Sequence, residues 1–131
     1  MKVLDANFLI DYLNGVDDTA TYLLANEREE FVFPAPAYAE VLVGEGNAHD
    51  GDIEEAKADL NWGTVYAIET ETAAIAGTIA EEIGPEGPHL TGMDALIAAV
   101  GRQLGAPVVT ADSDLTHPET TAVVEIETYR A

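Results

Sequence analysis

Asp5, Glu40, Asp94 and Asp112, with Asp114 just behind the last, each stand inside or at the edge of an apolar segment of this chain. A carboxylate in such a place costs free energy unless something pairs with it. Asp5 closes the run Val3-Leu4, and Asp112 follows Val108-Val109-Thr110. Glu40 and Asp94 lie within the helix-like stretches Pro36-Ala37-Tyr38-Ala39-Glu40-Val41-Leu42 and Met93-Asp94-Ala95-Leu96-Ile97-Ala98-Ala99. Only five Lys and Arg face 25 Asp and Glu, too few to neutralise these groups. A hard divalent cation such as Mg²⁺ or Mn²⁺ can do so, because it prefers oxygen ligands. The pattern indicates metal-dependent chemistry.

Each acid also has a purely structural reading. Asp5 can cap the helix that begins near Asn7. Asp94 stands three residues after Thr91, close to a capping-box arrangement. Asp112 and Asp114 can form turns through Asx bonds to the backbone. Glu40 is hardest to explain that way, since its segment is apolar on both sides. The joint placement is the stronger argument, and it depends on the elements that carry the acids.

Short apolar runs alternate with helical patterns, which predicts stacked β-α units and a largely parallel sheet in one α/β domain over residues 1–131. Strands are expected at Lys2–Leu4, Phe31–Phe33, Val65–Ile68, Val108–Val109 and Val123–Ile126. Helices are expected from Asn7 to Leu13, from Asp17, from Pro36 to about Val43, over Asp52–Leu60, over Thr70–Ile83, and from Thr91 or Gly92 to Leu104. Gly44 and Gly46 should break the third helix, Gly84-Pro85 ends the fifth, and Gly105 stops the sixth. Ligands of parallel sheets gather at the carboxyl ends of the strands. Asp5 and Asp112 end strands at that edge, and Glu40 and Asp94 sit near the starts of helices leaving it.

Other candidates carry less. His49, His89 and His117 lack zinc-ligand spacing. Ser113 has no nucleophile elbow before it, and no Gly-rich phosphate loop is present. Trp62 and Tyr66 read as packing rather than as a base-stacking platform, and Lys57 and Arg28 as partners of acids such as Glu54 and Glu29. Cysteine is absent, which excludes disulfides and thiolate metal sites. The longest apolar run, Ala95–Val100, is too short to span a membrane, and no signal-peptide pattern opens the chain, so a cytoplasmic protein is expected. The net charge of −20, with acids scattered over every helix and Lys nearly missing, is the surface of a protein kept soluble in concentrated salt, which points to a halophile. At about 1 M salt the screening length is roughly 3 Å, so this charge does not exclude a polyanionic partner.

Four stretches resemble, in order, the motifs of PIN-domain ribonucleases: Val3-Leu4-Asp5-Ala6-Asn7-Phe8-Leu9-Ile10-Asp11-Tyr12-Leu13, Ala39-Glu40-Val41-Leu42-Val43-Gly44, Met93-Asp94-Ala95-Leu96-Ile97-Ala98-Ala99 and Val109-Thr110-Ala111-Asp112-Ser113-Asp114-Leu115. The size is most similar to the VapC toxins of bacterial and archaeal toxin–antitoxin pairs, and with the charge it suggests a halophilic archaeon. The resemblance implies a three-layer α/β/α sandwich with a central, mainly parallel sheet of four or five strands. It implies metal-assisted hydrolysis of RNA by Mg²⁺ or Mn²⁺, with Asp5, Glu40, Asp94 and Asp112 catalytic and metal-binding, Glu40 alternatively orienting the attacking water. Asn7, Thr110 and Asp114 are supporting. Asn7 replaces the family's usual Thr or Ser, where its amide can hydrogen-bond a metal-bound water. Leu115 replaces a usual aromatic and should matter mainly for packing. A VapB-type antitoxin and a homodimer are implied too.

Rival readings are a housekeeping PIN-domain RNA-processing nuclease, a non-catalytic PIN-like binding module, and a phosphoryl-transfer protein of receiver or phosphatase type. A receiver wants a Lys after a late strand, and Ala106–Ala131 contains none. An aspartyl phosphatase wants a second Asp where Asn7 stands.

Overall fold

The computed structural model describes residues 1–130. Strands β1 (Lys2–Leu4), β2 (Phe31–Pro34), β3 (Thr64–Tyr66), β4 (Val108–Val109) and β5 (Ile126–Glu127) form one all-parallel sheet in the order β3-β2-β1-β4-β5. Helices α1 (Ala6–Leu13), α2 (Asp17–Ala25), α3 (Ala35–Asn47), α4 (Ile53–Asp59), α5 (Thr70–Ile83), α6 (Gly92–Leu104) and α7 (Pro118–Thr121) flank it, as in a PIN-like α/β/α sandwich. The chain moves outward from β1 through β2 to β3, then returns to the other side of β1 with β4 and β5. The strand order therefore reverses between β1 and β4, the place where open parallel sheets bind ligands.

Val3, Leu4, Val108 and Val109 are fully buried, which is why the two central strands are apolar on both faces. Around them Phe8, Leu9, Phe33, Ile97 and Val100 complete one core cluster. A second cluster joins Ile79 and Ile83 to Ala95, Ala98, Ala99 and Leu115. Helix α6 feeds both, Ile97 and Val100 toward the sheet cluster and its alanines toward α5. A helix with a core on two sides has little polar face left, hence its near-continuous apolar sequence. Gly101 lets it lie close to β4, because a Cβ there would stand 2.7 Å from Val108 Cγ2. Leu115 is fully buried in the second cluster.

Three elements differ from expectation by more than one residue at an end. Helix α3 runs through Gly44 and Gly46 to Asn47; an interior glycine costs about 1 kcal/mol and does not forbid a helix held by its packed face. The third strand is Thr64–Tyr66 instead of Val65–Ile68. The last is Ile126–Glu127 instead of Val123–Ile126. There the short helix α7, with Pro118 in its first turn and His117 as cap, displaces the strand start. Backbone bonds from Val123 and Val124 N–H to the Thr120 carbonyl, both at 3.0 Å, hold Val124 in the second core cluster and out of the sheet. The Pro118 signal was present in the sequence.

Trp62 packs edge-to-face on Tyr12, Phe31 and Phe33, with ring centroids 5.1–5.7 Å apart, so packing is its role. Lys57 meets Glu54 at 3.5 Å. Arg28 forms no ion pair among the described residues; its expected partner Glu29 takes the N-terminal ammonium. No helix among the described residues is long and apolar enough to cross a membrane.

Candidate metal centre

Parallel pairing of Leu4 with Val109 carries both chains to the same sheet edge, where Asp5 leaves β1 and Thr110 leaves β4. Asp5 is buried, and both its carboxylate oxygens are engaged. Oδ1 accepts the Ala6 N–H at 2.7 Å, and Oδ2 accepts the Thr110 hydroxyl at 2.7 Å. The capping role considered for Asp5 is thus real, and one oxygen is left turned to its neighbour across the sheet. Burial pushes the Asp5 carboxyl above the usual carboxylate range; the bonds from Thr110 and Ala6 oppose that shift, while the charges of Asp112 and Glu40 add to it.

The loop after β4 folds over the same edge. Asp112 N–H donates to Thr110 Oγ1 at 3.0 Å. Asp112 Oδ2 in turn accepts the N–H groups of Asp114 and Leu115, at 2.9 and 3.0 Å. This Asx-type turn, one of the structural readings, is what brings Asp114 back beside Asp112. Asp94 arrives from the other direction, in the first turn of α6, whose N-cap Thr91 accepts the Asp94 N–H at 3.1 Å.

Carboxylate oxygens of Asp94, Asp112 and Asp114 lie within 4.8 Å of one another. Octahedral Mg²⁺ holds its oxygens at about 2.1 Å, and so roughly 3–4 Å apart. Small side-chain movements separate this triad from such a shell, and its all-oxygen donor set suits a hard divalent ion. Lys2, Lys57, Arg102 and Arg130 are paired with acids outside the triad, Glu127, Glu54, Glu82 and Asp11. Asp5 stands behind the triad, and its charge reaches Asp94.

Asp114, a supporting residue on sequence grounds, is thus a full member of the cluster. The signal that could have promoted it is the spacing Asp112-Ser113-Asp114 on a turn. Asn7 lies beside the same loop. Its amide is turned to the β4 loop, with Nδ2 3.4 Å from Thr110 Oγ1 and Oδ1 accepting Ala111 N–H at 3.4 Å. Glu40 is exposed on α3. It stands at the wall of a groove of about 270 Å³ between α1 and α3, lined also by Ile10, Leu13 and Val41.

Burial, then the charges of Asp112 and Asp5, push the Asp94 carboxyl up to about 6. Its unfolded value is near 3.9. A raised folded value favours the metal-free fold below about pH 4, and that contribution is lost as pH rises through about 6. Cation binding runs the other way, since it requires the ionised form. Mn²⁺ affinity measured by calorimetry is expected to rise about tenfold between pH 5 and 7, the change in the ionised fraction of one group titrating near 6. A flat profile over that interval would show that Asp94 does not take part.

Comparisons with known proteins agree with this fold. Solved structures of similar fold include FitAcB from Neisseria gonorrhoeae, at 20% identity over 98% of both chains with a TM-score of 0.81. DNA-bound VapBC from Salmonella typhimurium matches at 19% identity over 98% of both, also with a TM-score of 0.81. A toxin–antitoxin complex from Klebsiella pneumoniae matches at 19% identity over 99% of this chain and 98% of that one, with a TM-score of 0.77. No curated protein sequence matches significantly. The model of the PIN domain matches residues 2–120. With an all-parallel sheet, an acidic cluster at its switch point and that match over most of its length, the chain belongs to the PIN-domain family.

Proposed function

We propose that this protein is a Mg²⁺- or Mn²⁺-dependent endoribonuclease and the toxin of a VapBC-type pair. The observation that carries the reading is the triad Asp94, Asp112 and Asp114 at the sheet edge, with Asp5 hydrogen-bonded behind it. Asp94 and Asp112 hold the ion with Asp114, and Asp5 contributes directly or through water. Glu40, the exposed acid on α3 whose charge reaches Asp5, is assigned the role of binding the ion or of orienting the attacking water and accepting its proton. A bound divalent ion supplies positive charge for the phosphodiester and makes a water acidic enough to attack it. The VapBC and toxin–antitoxin structures of similar fold support a cognate antitoxin as partner. A homodimer and a cytoplasmic location follow from the same reading. The direct test is cleavage of total cellular RNA by the purified protein with Mn²⁺ and its suppression by EDTA. A metal-loaded protein inert on every RNA class would favour a PIN-like binding module instead.

Metal should also stabilise the fold. A ligand at 100 times its dissociation constant adds about 2.7 kcal/mol, on the order of 10 °C in thermal midpoint for a domain of this size. Millimolar Mn²⁺ at fixed ionic strength is expected to raise Tm by that amount. No shift, with no binding by calorimetry, would remove the metal centre.

The surface charge supports a high-salt cytoplasm. Acids such as Asp17, Glu27, Glu55, Glu81, Glu86, Glu119 and Glu125 are exposed, and with a net charge of −20 they repel one another in dilute buffer. Tm is expected to rise by several degrees between 50 mM and 2 M KCl as this repulsion is screened. Equal stability at both concentrations would count against a halophilic origin.

A further inference from the structure

We propose that Thr120, on α7, is a positioning residue that fixes Asp114 through its backbone, an inference that rests on the metal centre proposed above. Asp114 carries the exposed carboxylate of the triad, and its position is set by its main chain. Its N–H is taken by Asp112 Oδ2 at 2.9 Å, and its carbonyl accepts the Thr120 hydroxyl at 2.7 Å. A residue has only two soft backbone dihedrals, so fixing the peptide groups on both sides of Asp114 fixes the direction of its side chain. Thr120 is itself fully buried and anchored at both ends. The His117 carbonyl accepts its N–H at 2.9 Å, and its own carbonyl accepts the N–H groups of Val123 and Val124 at 3.0 Å. Val124 belongs to the second core cluster. The turn that carries the acids is therefore braced against the core by a hydroxyl six residues beyond Asp114.

A second threonine provides the contrast. The Asp112 carbonyl accepts the Thr116 hydroxyl at 2.9 Å and also the Thr116 N–H at 3.0 Å. Losing that hydroxyl leaves the backbone bond in place. The Asp114 carbonyl has no donor but Thr120 among the described residues, and an acceptor stripped of its partner carries the larger penalty. Removing partners that orient metal ligands typically lowers affinity 10- to 100-fold, so Thr120→Val is placed at about tenfold and Thr116→Val at about threefold or less.

The experiment is a double-mutant cycle of Thr120→Val with Asp114→Asn on the full chain, read as Mn²⁺ affinity by calorimetry with the metal-free Tm of each variant alongside. In the Asp114→Asn background Thr120→Val is expected to cost nothing further, because Thr120 acts through Asp114. A merely structural role would weaken binding equally in both backgrounds. Thr120→Ser keeps the hydroxyl and is expected within about twofold of wild type. If Thr120→Val fails to fold, Thr120→Ala set against Thr120→Ser repeats the comparison with the hydroxyl alone differing. Wild-type affinity in Thr120→Val, a Thr120→Ser as weak as Thr120→Val, or losses that multiply in the double variant would each overturn the role of Thr120 and leave the metal centre standing. A wild-type protein that binds no Mn²⁺ would overturn the metal centre itself, and this role with it.

Discussion

Asp94→Asn and Asp112→Asn are each expected to lower the rate of RNA cleavage at least about a hundredfold. On the proposed function, each removes one of the negative oxygens that would hold the cation, and the cation would activate the attacking water and stabilise the developing charge. Asp5→Asn and Glu40→Gln should lose activity to the same extent. Stability of the metal-free protein separates these variants. Asp94→Asn and Asp112→Asn relieve like-charge repulsion and should leave Tm unchanged or slightly raised. Asp5→Asn should lower it. Both Asp5 oxygens accept hydrogen bonds from the Ala6 N–H and the Thr110 hydroxyl, and an amide offers one acceptor oxygen where two are needed. Asp114→Asn should cost less in rate, since Asp114 is the most exposed member of the triad. Cleavage that survives both Asp5→Asn and Asp94→Asn would place the chemistry elsewhere or in a contaminant.

Phe8→Ala carries the largest expected loss of stability, about 3–5 kcal/mol, set by the transfer and cavity terms of an emptied aromatic site. Phe8 is fully buried three residues after Asp5, edge-on to Tyr129 at 4.7 Å and to Tyr22 at 5.7 Å. Both neighbours are tied down by their hydroxyls, Tyr129 to Asp11 at 2.6 Å and Tyr22 to Glu127 at 2.7 Å. The surroundings therefore cannot close on the cavity easily. Against a typical total of 5–15 kcal/mol, the variant is expected to unfold at markedly lower urea. Phe8→Leu should lose only part of this. A loss below about 1 kcal/mol for Phe8→Ala would mean that the C-terminal segment and α2 collapse into the space.

By itself the sequence determined the class of fold and singled out Asp94, Asp112 and Asp114 among the acids to watch, the three that the structure clusters. The short apolar runs Val3-Leu4 and Val108-Val109, alternating with helical patterns, mark buried strands of a parallel sheet, and Thr91 and Gly105 mark the ends of α6 by local hydrogen bonding and a left-handed φ of 63°. Such signals act over a few residues and are legible without a partner. What only the tertiary structure decided is which acids meet and what each side chain is used for. Asp94 reaches Asp112 because α6 is held between two cores, and Asp114 joins them because the Asp112 carboxylate pulls its backbone back. The same holds for Asn7 and Thr110, whose bonds cross more than a hundred residues. Helix α3 passing Gly44 and the late start of β5 follow the same cause: long-range packing outweighs local preferences of about 1 kcal/mol.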